Sequence, residues 1–235
     1  MDNEKIRLNK YIAHSGICSR READRLIQEG KVVVNGETET NPARHINPGT
    51  DKISYAFDTK NLETSRIYIK LNKPAGYVVS GNPDEGIPVS ELVKDIPADI
   101  LPIGRIDKES CGLLLFTNDS SLPKKIIGEN SLCEKEYYVR TEHPVPDWAL
   151  ERFRKGMAIL GEKTKPAKTR RLSPDAFLII LTEGKNRQIR RMCRKTGTKI
   201  EVLKRVRIGE IRLGKLKEGK WEKLSSEETD YLKRL

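Results

Sequence analysis

Between Gly104 and Gly112 the chain carries Arg105, Asp107, Lys108, Glu109 and Ser110. Four charged side chains and two glycines are poor material for a core. They lie directly before an apolar run, Leu113 to Phe116, which the turn formers Asn118 and Asp119 close. The run reads as a short buried strand with a loop at each end. A loop anchored on such a strand suits the presentation of a carboxylate to a ligand. An ionised carboxylate serves either as a nucleophile or as a base. A second group is the tyrosine pair Tyr137 and Tyr138, in the β-rich run Cys133 to Arg140. Neighbours on a strand point to opposite faces, so one of the two can face a cleft. Proton transfer by either hydroxyl would need a pKa below the ordinary ~10 or a special geometry. A third group is Arg187, Arg190, Arg191 and Arg194, which cannot all share the face of the apolar stripe Ile189, Met192 and Cys193.

The elements around these groups follow from periodicity and turn chemistry. Arg66 to Leu71 alternates, with Ile67, Ile69 and Leu71 on one face of a strand. Val89 to Lys94 and Leu122 to Ile127 read as short helices. Pro146 to Lys155 reads as a helix with Trp148 and Phe153 as core anchors and Gly156 as its stop. Ala176 to Leu181, Ile200 to Val206 and Gly209 to Leu213 are strand-like. Ser225 and Glu228 have capping-box spacing for a last helix.

The N-terminal stretch has its own signature. Ile6, Leu8, Tyr11 and Ile12 form a helical stripe ending near Ser15 and Gly16. Ser19 and Glu22 have capping-box spacing, and Ala23, Leu26 and Ile27 continue the second helix to a stop at Gly30. Lys31 to Val34 is a strand that meets the tight-turn pair Asn35-Gly36. Asn47-Pro48-Gly49 is another turn, Ile53 to Phe57 closes the module, and Asp58 to Ser65 reads as a linker.

Composition narrows the class. No run approaches the ~18 apolar residues of a membrane span, and the first ten residues lack an apolar signal core. Cys18, Cys111, Cys133 and Cys193 are far apart, which argues against a zinc site and for reduced thiols in the cytoplasm. Between Lys185 and Lys220, fourteen Lys and Arg face only Glu201, Glu210 and Glu218, an excess equal to the net charge of +11 for the whole chain. Such a concentrated field favours a polyanion.

The string LPIGRIDKESCGLLLFTND, residues 101–119, resembles the second motif of pseudouridine synthases, GRLD-x-x-(S/T)-x-GLLL-x-TND. The chain departs from that pattern at Ile106 (for Leu) and at Ser110, where many members have Thr. The match lies in the RsuA/RluB/RluE/RluF family, which acts on ribosomal RNA. GENSLCEKEYY, AILGEKTK and NRQIRRMC are most similar to its RluF subgroup. The resemblance implies that Asp107 is the catalytic aspartate. The K-x-Y-x-V pattern puts Tyr137 in the cleft, where its ring suits stacking on an unpaired base. The NRQIRRM pattern makes Arg190 a positive partner for Asp107, and Arg187, Gln188, Ile189 and Arg191 RNA contacts. Arg105, Ile106 and Lys108 join them, Arg105 filling the space that a flipped base leaves. LNKP-x-G resembles the first motif, which supports the catalytic loop; Lys73 reads equally as a buried charge that pairs locally. Residues RLNKYIAHSGICSRREADRLIQEGKVVVNGE resemble the S4 RNA-binding domain, with Arg7, Lys10, Arg20, Arg21 and Arg25 as candidates for phosphate contacts.

The expectation is an α+β protein. Residues 5–60 would form an S4-like module, and residues 66–235 a catalytic domain with a mixed, mostly antiparallel sheet and flanking helices. The expected activity is isomerisation of a uridine in large-subunit (23S) rRNA by a cytoplasmic enzyme, monomeric by default. It would need no cofactor and no metal, and would have no membrane partner. Two alternatives stand: the same reaction on small-subunit rRNA or tRNA, and a non-catalytic S4-type ribosome assembly factor.

Overall fold

The fold is taken from a computed structural model that describes residues 5–15, 17–57, 66–97, 100–119, 121–128 and 131–235. The expected linker, Asp58 to Ser65, and Gly16 lie outside the described residues. The chain divides into two compact units. One is drawn from the described parts of 1–67, 98–101 and 117–122, the other from those of 68–97, 102–116 and 123–235.

In the first unit, β1 (Ile6–Arg7) leads straight into α1 (Leu8–His14), and α2 (Arg20–Gln28) follows. Next come β2 (Val32–Val34), β3 (Glu37–Glu39), β4 (His45–Ile46) and β5 (Ile53–Tyr55). The strands form an antiparallel β1–β4 pair and a three-stranded sheet in the order β3-β2-β5. Leu8, Ile12, Ala23, Leu26, Ile27, Val32, Val34 and Ile46 make the core. Ile6 does not continue the α1 stripe. It pairs with Ile46 in β4, a long-range contact that helical spacing cannot reveal. Ser19 Oγ accepts from the Glu22 amide at 3.2 Å, whereas the Glu22 carboxylate turns to Arg25 instead of back to the cap. Asn35 and Gly36 both have positive φ, 55° and 90°, as a type I′ turn between β2 and β3 requires.

The second unit holds all or most of β6 (Tyr68–Lys73), β7 (Leu101–Ile103), β8 (Cys111–Thr117), α3 (Leu122–Ile127), β9 (Lys135–Thr141) and α4 (Asp147–Lys155). It continues through β10 (Ala158–Ile159), β11 (Glu162–Lys163), β12 (Lys168–Ser173), β13 (Ala176–Leu181) and α5 (Gln188–Lys195). It closes with β14 (Ile200–Ile208), β15 (Ile211–Arg212), β16 (Trp221–Lys223) and α6 (Ser226–Arg234). The main sheet runs β12-β13-β9-β14-β8-β6-β16, with β15 on β14 and β7 on β8. β14 is parallel to β8; the β12–β13, β13–β9, β9–β14 and β6–β16 ladders are antiparallel. This is the α+β class with a mixed, mostly antiparallel sheet. The core on α4 and α5 gathers Val139, Leu150, Phe153, Phe177, Ile189, Met192 and Cys193.

In the second unit three readings change. Trp148 is 53% exposed and is no core anchor. On α4 the buried face is Ala149, Leu150 and Phe153. At about 100° per residue Trp148 falls away from that face. All six residues of β6 are buried, so its polar face is covered as well. There Lys70 Nζ donates to Glu228 at 2.7 Å, and Asn72 Nδ2 to the Leu216 carbonyl at 2.8 Å. The stretch after Pro88 forms only a short 3₁₀ turn, Val89–Leu92.

Candidate active site

The loop between β7 and β8 holds Asp107 and is fixed through its carbonyl groups. Within the loop, the Ser110 amide donates to Asp107 O at 3.0 Å. From the strand behind it, Lys73 Nζ donates to Ser110 O and Pro74 O, each at 2.8 Å, and reaches Lys108 O at 3.5 Å. The Gly76 amide donates to Lys108 O at 2.7 Å. From α5, Arg190 Nη2 donates to Glu109 O at 3.1 Å and to Ser110 Oγ at 3.0 Å. From β14, Arg205 Nε donates to Leu113 O at 2.7 Å and Nη1 reaches Arg105 O at 3.5 Å. Lys73 thus pairs locally, and burial pushes its pKa down to about 8. A loop with its acceptors occupied this way keeps one conformation.

Gly112 explains how β8 and β14 come so close. It has φ +101°, and a Cβ there would lie 2.3 Å from the Arg205 carbonyl oxygen and 2.8 Å from its nitrogen. Only glycine fits.

Two guanidinium groups face the Asp107 carboxylate. Arg190 Nε is 3.6 Å from Oδ2 and Arg187 Nη1 is 3.8 Å from it. Arg190 Nε is buried without a hydrogen-bond partner among the described residues. Arg187 also pairs with Glu109 at 2.8 Å, which lowers the Glu109 pKa and raises its own. Arg187 begins α5 in the left-handed region, φ 51°. Its side chain reaches both Asp107 and Glu109 of the loop.

Asp107 opens onto a cleft of about 110 Å³, room for one ring-sized group rather than a large ligand. Ile106, Leu181, Ile189 and Leu203 supply apolar wall, and Tyr137 an aromatic one. Arg105, Ser110, Glu183, Lys185, Arg187 and Gln188 supply the polar rim. Tyr137 lines this cleft, and its neighbour Tyr138 does not. Gln188 is buried and spent internally, accepting from the Lys185 amide at 3.0 Å and donating to Glu183 at 2.7 Å. Arg191 turns away to Asn186, donating to its carbonyl at 2.9 Å and its side chain at 3.0 Å. Lys108 reaches outward to Glu85 O at 3.1 Å.

In the first unit Arg7, Lys10, Arg20, Arg21 and Arg25 are all exposed. Arg25 is held by Glu22 at 2.5 Å and Glu29 at 2.7 Å, so its charge is largely answered within α2 and its cap. Arg20 and Arg21 enter no ion pair among the described residues.

Sequence reasoning did not select Glu109, Glu183, Lys185, Leu203 or Arg205. Glu183 and Lys185 stand immediately before the NRQIRRM string, so their position was visible although their role was not. Nothing in spacing marks Arg205, one of fourteen cations in its window. Only the sheet register brings it beneath the loop.

A carboxylate held between arginines beside an aromatic-walled, ring-sized cleft fits covalent or proton-transfer chemistry on a planar base. The family model described as RNA pseudouridylate synthase matches residues 67–195, and that of the S4 domain matches residues 6–51. The chain belongs to the pseudouridine synthase family and is an isomerase with an N-terminal S4 domain. It is 38% identical, over 97% of its length and 78% of the relative's, to the dual-specificity RNA pseudouridine synthase RluF of Escherichia coli O6:H1. It is 36% identical to ribosomal large subunit pseudouridine synthase B of Bacillus subtilis, over 97% of this chain and 96% of that one. A crystal structure of a pseudouridylate synthase superposes with a TM-score of 0.71 at 29% identity, covering 97% of this chain and 99% of that one.

Proposed function

We propose that this enzyme converts a uridine of large-subunit (23S) rRNA to pseudouridine, with Asp107 as the catalytic carboxylate. The observation that carries the reading is the Asp107 carboxylate between Arg190 and Arg187 at the mouth of the Tyr137 cleft. The names of the RluF and large-subunit relatives support the choice of RNA.

The reaction breaks the N1–C1′ bond, turns the ring and forms a C5–C1′ bond. C5 gives up a proton and N1 ends with one, so composition is unchanged. That balance requires no oxidant, hydrolytic water or group carrier. A base in a duplex is out of reach of the cleft, so the uridine is flipped out. Arg105, exposed on the rim, fills the space it leaves. The uracil ring packs on Tyr137 between the apolar walls. Asp107 acts at the sugar as nucleophile on C1′ or as base at C2′; both need it ionised. Arg190 and Arg187 lie against that carboxylate, at 3.6 Å and 3.8 Å. Arg190 Nε, beyond hydrogen-bond range in the free enzyme, closes on the carboxylate as substrate binds.

Residues 5–60 serve as the S4 clamp and residues 66–235 as the catalytic domain, in a cytoplasmic, monomeric enzyme. Ile106 and Ile189 shape the cleft wall, while Lys108 and Arg187 hold phosphate. The dual specificity named for the RluF relatives favours a second reading, that tRNA or small-subunit rRNA is also modified.

The test is tritium release from C5-tritiated uridine in unmodified large-subunit rRNA. Asp107→Asn should bind RNA as wild type does and lose turnover by roughly 10²- to 10⁴-fold or more. Turnover near the wild-type level by this variant would remove Asp107 from the mechanism. Release from tRNA or small-subunit rRNA alone would reassign the substrate. Binding without release on any of the three would favour an assembly factor that has lost the reaction.

A further inference from the structure

The side chain of Arg205 is nearly as buried as the core around it, at 4% exposure. It forms no ion pair among the described residues, and its Nη2 is buried with no hydrogen-bond partner there. A guanidinium in that state is costly. An apolar side chain of similar volume would fill the same space without the cost of keeping a charge from water. Packing alone therefore does not explain an arginine at this position.

Its hydrogen bonds do. The fork spans the two ends of the loop that carries Asp107, Nε on the Leu113 carbonyl behind it and Nη1 on the Arg105 carbonyl before it. The backbone of Arg205 does the same across the sheet. On one side it pairs with Gly112, whose missing Cβ permits the approach, and on the other with Tyr137. One residue thus touches both ends of the loop through its side chain, and the loop's exit and the cleft aromatic through its main chain.

We infer that Arg205 is a positioning residue that fixes the Asp107 carboxylate against the ring held on Tyr137. This rests on the assignment of Asp107 as the catalytic carboxylate. It adds a residue that makes no contact with substrate. Loss of the fork frees the Arg105 end of the loop, and a displacement of about 1 Å at a reacting group is enough to cost ~10²-fold in rate. Substrate binding, made by the rim and the S4 unit, is unaffected.

The experiment measures kcat, KM, RNA Kd and unfolding midpoint for wild type, Arg205→Met, Arg205→Lys and Asp107→Asn. Arg205→Met should keep KM and Kd within about twofold and lose kcat by ~10²-fold. Arg205→Lys has one donor head for two carbonyls and should lose kcat by about 10-fold with KM unchanged. A folded Arg205→Met with kcat within about threefold of wild type overturns the inference. So does a rise in KM with kcat intact, which would make Arg205 a binding residue. If Arg205→Met does not fold, Arg205→Lys decides alone: lost kcat at constant KM supports the fork, and full kcat overturns it. An inactive Asp107→Asn beside fully active Arg205 variants removes only this inference. An active Asp107→Asn removes the assignment beneath it as well.

Discussion

At the scale of single residues, the site is organised by buried cations as much as by its carboxylate. Lys73 has no exposed surface, and its ammonium is spent on the carbonyls of Pro74 and Ser110. Burial lowers its pKa from the ordinary 10.5 to about 8. Between those values the folded protein binds fewer protons at this site than the unfolded chain. The contribution of Lys73 to stability therefore rises with pH across that window and is smallest below it. The unfolding free energy of wild type minus that of Lys73→Met should increase between about pH 7.5 and pH 9.5, measured by denaturant titration. A flat or falling difference would mean that the ammonium stays charged in the fold. Glu109 plays the opposite part, an exposed anion paired with Arg187 at 2.8 Å.

At the scale of elements, the parallel contact of β14 with β8 sets the loop against the cleft. Its geometry depends on Gly112. Gly161 offers a clean comparison, because it too has positive φ, +82°, but nothing lies within 4 Å of where its Cβ would stand. Gly161→Ala carries only the backbone strain, about 1 kcal/mol. Gly112→Ala adds a collision with the Arg205 main chain, and should cost more than about 3 kcal/mol and abolish turnover. Equal losses in the two thermal unfolding curves would show that β8 and β14 can move apart freely. Much of this layer was legible in the sequence. The apolar run before Asn118 became β8, the Ile189, Met192 and Cys193 stripe became the buried face of α5, and the Ser225 capping box is formed with both arms. The misses share a cause. Ile6 and the polar face of β6 were each decided by a partner distant in sequence, and Trp148 by which side of α4 meets the core.

At the scale of the whole molecule, the charge is divided between two jobs. Part of the C-terminal excess is internal, since Arg205 is buried and Arg207 is paired with Glu134 and Glu136. Arg20 and Arg21 of the S4 domain, exposed and in no ion pair among the described residues, are the better candidates for RNA phosphates. Replacing both by Gln should raise KM for rRNA. It should also flatten the dependence of log affinity on log salt by about 1.4, at ~0.7 per phosphate contact. Arg25→Gln should change the slope less, because Glu22 and Glu29 already hold that side chain. An unchanged slope in the double variant would move the clamp elsewhere on the domain.

The sequence alone was enough for whatever is local or carried by contiguous strings. It yielded the α+β class, the helix caps and turns, and the motifs that place this chain among the pseudouridine synthases. These depend on neighbours within a few residues, where spacing maps directly onto geometry. Which charges meet was settled by the tertiary fold. Beyond the Arg190 partner that the NRQIRRM pattern implied, it set Arg187 beside Asp107, turned Arg191 to Asn186, and brought Arg205 under a loop that lies far earlier in the chain. Arginines look alike along a sequence. Their roles diverge only when strand register and burial determine whether each one finds a carboxylate, a carbonyl or open water.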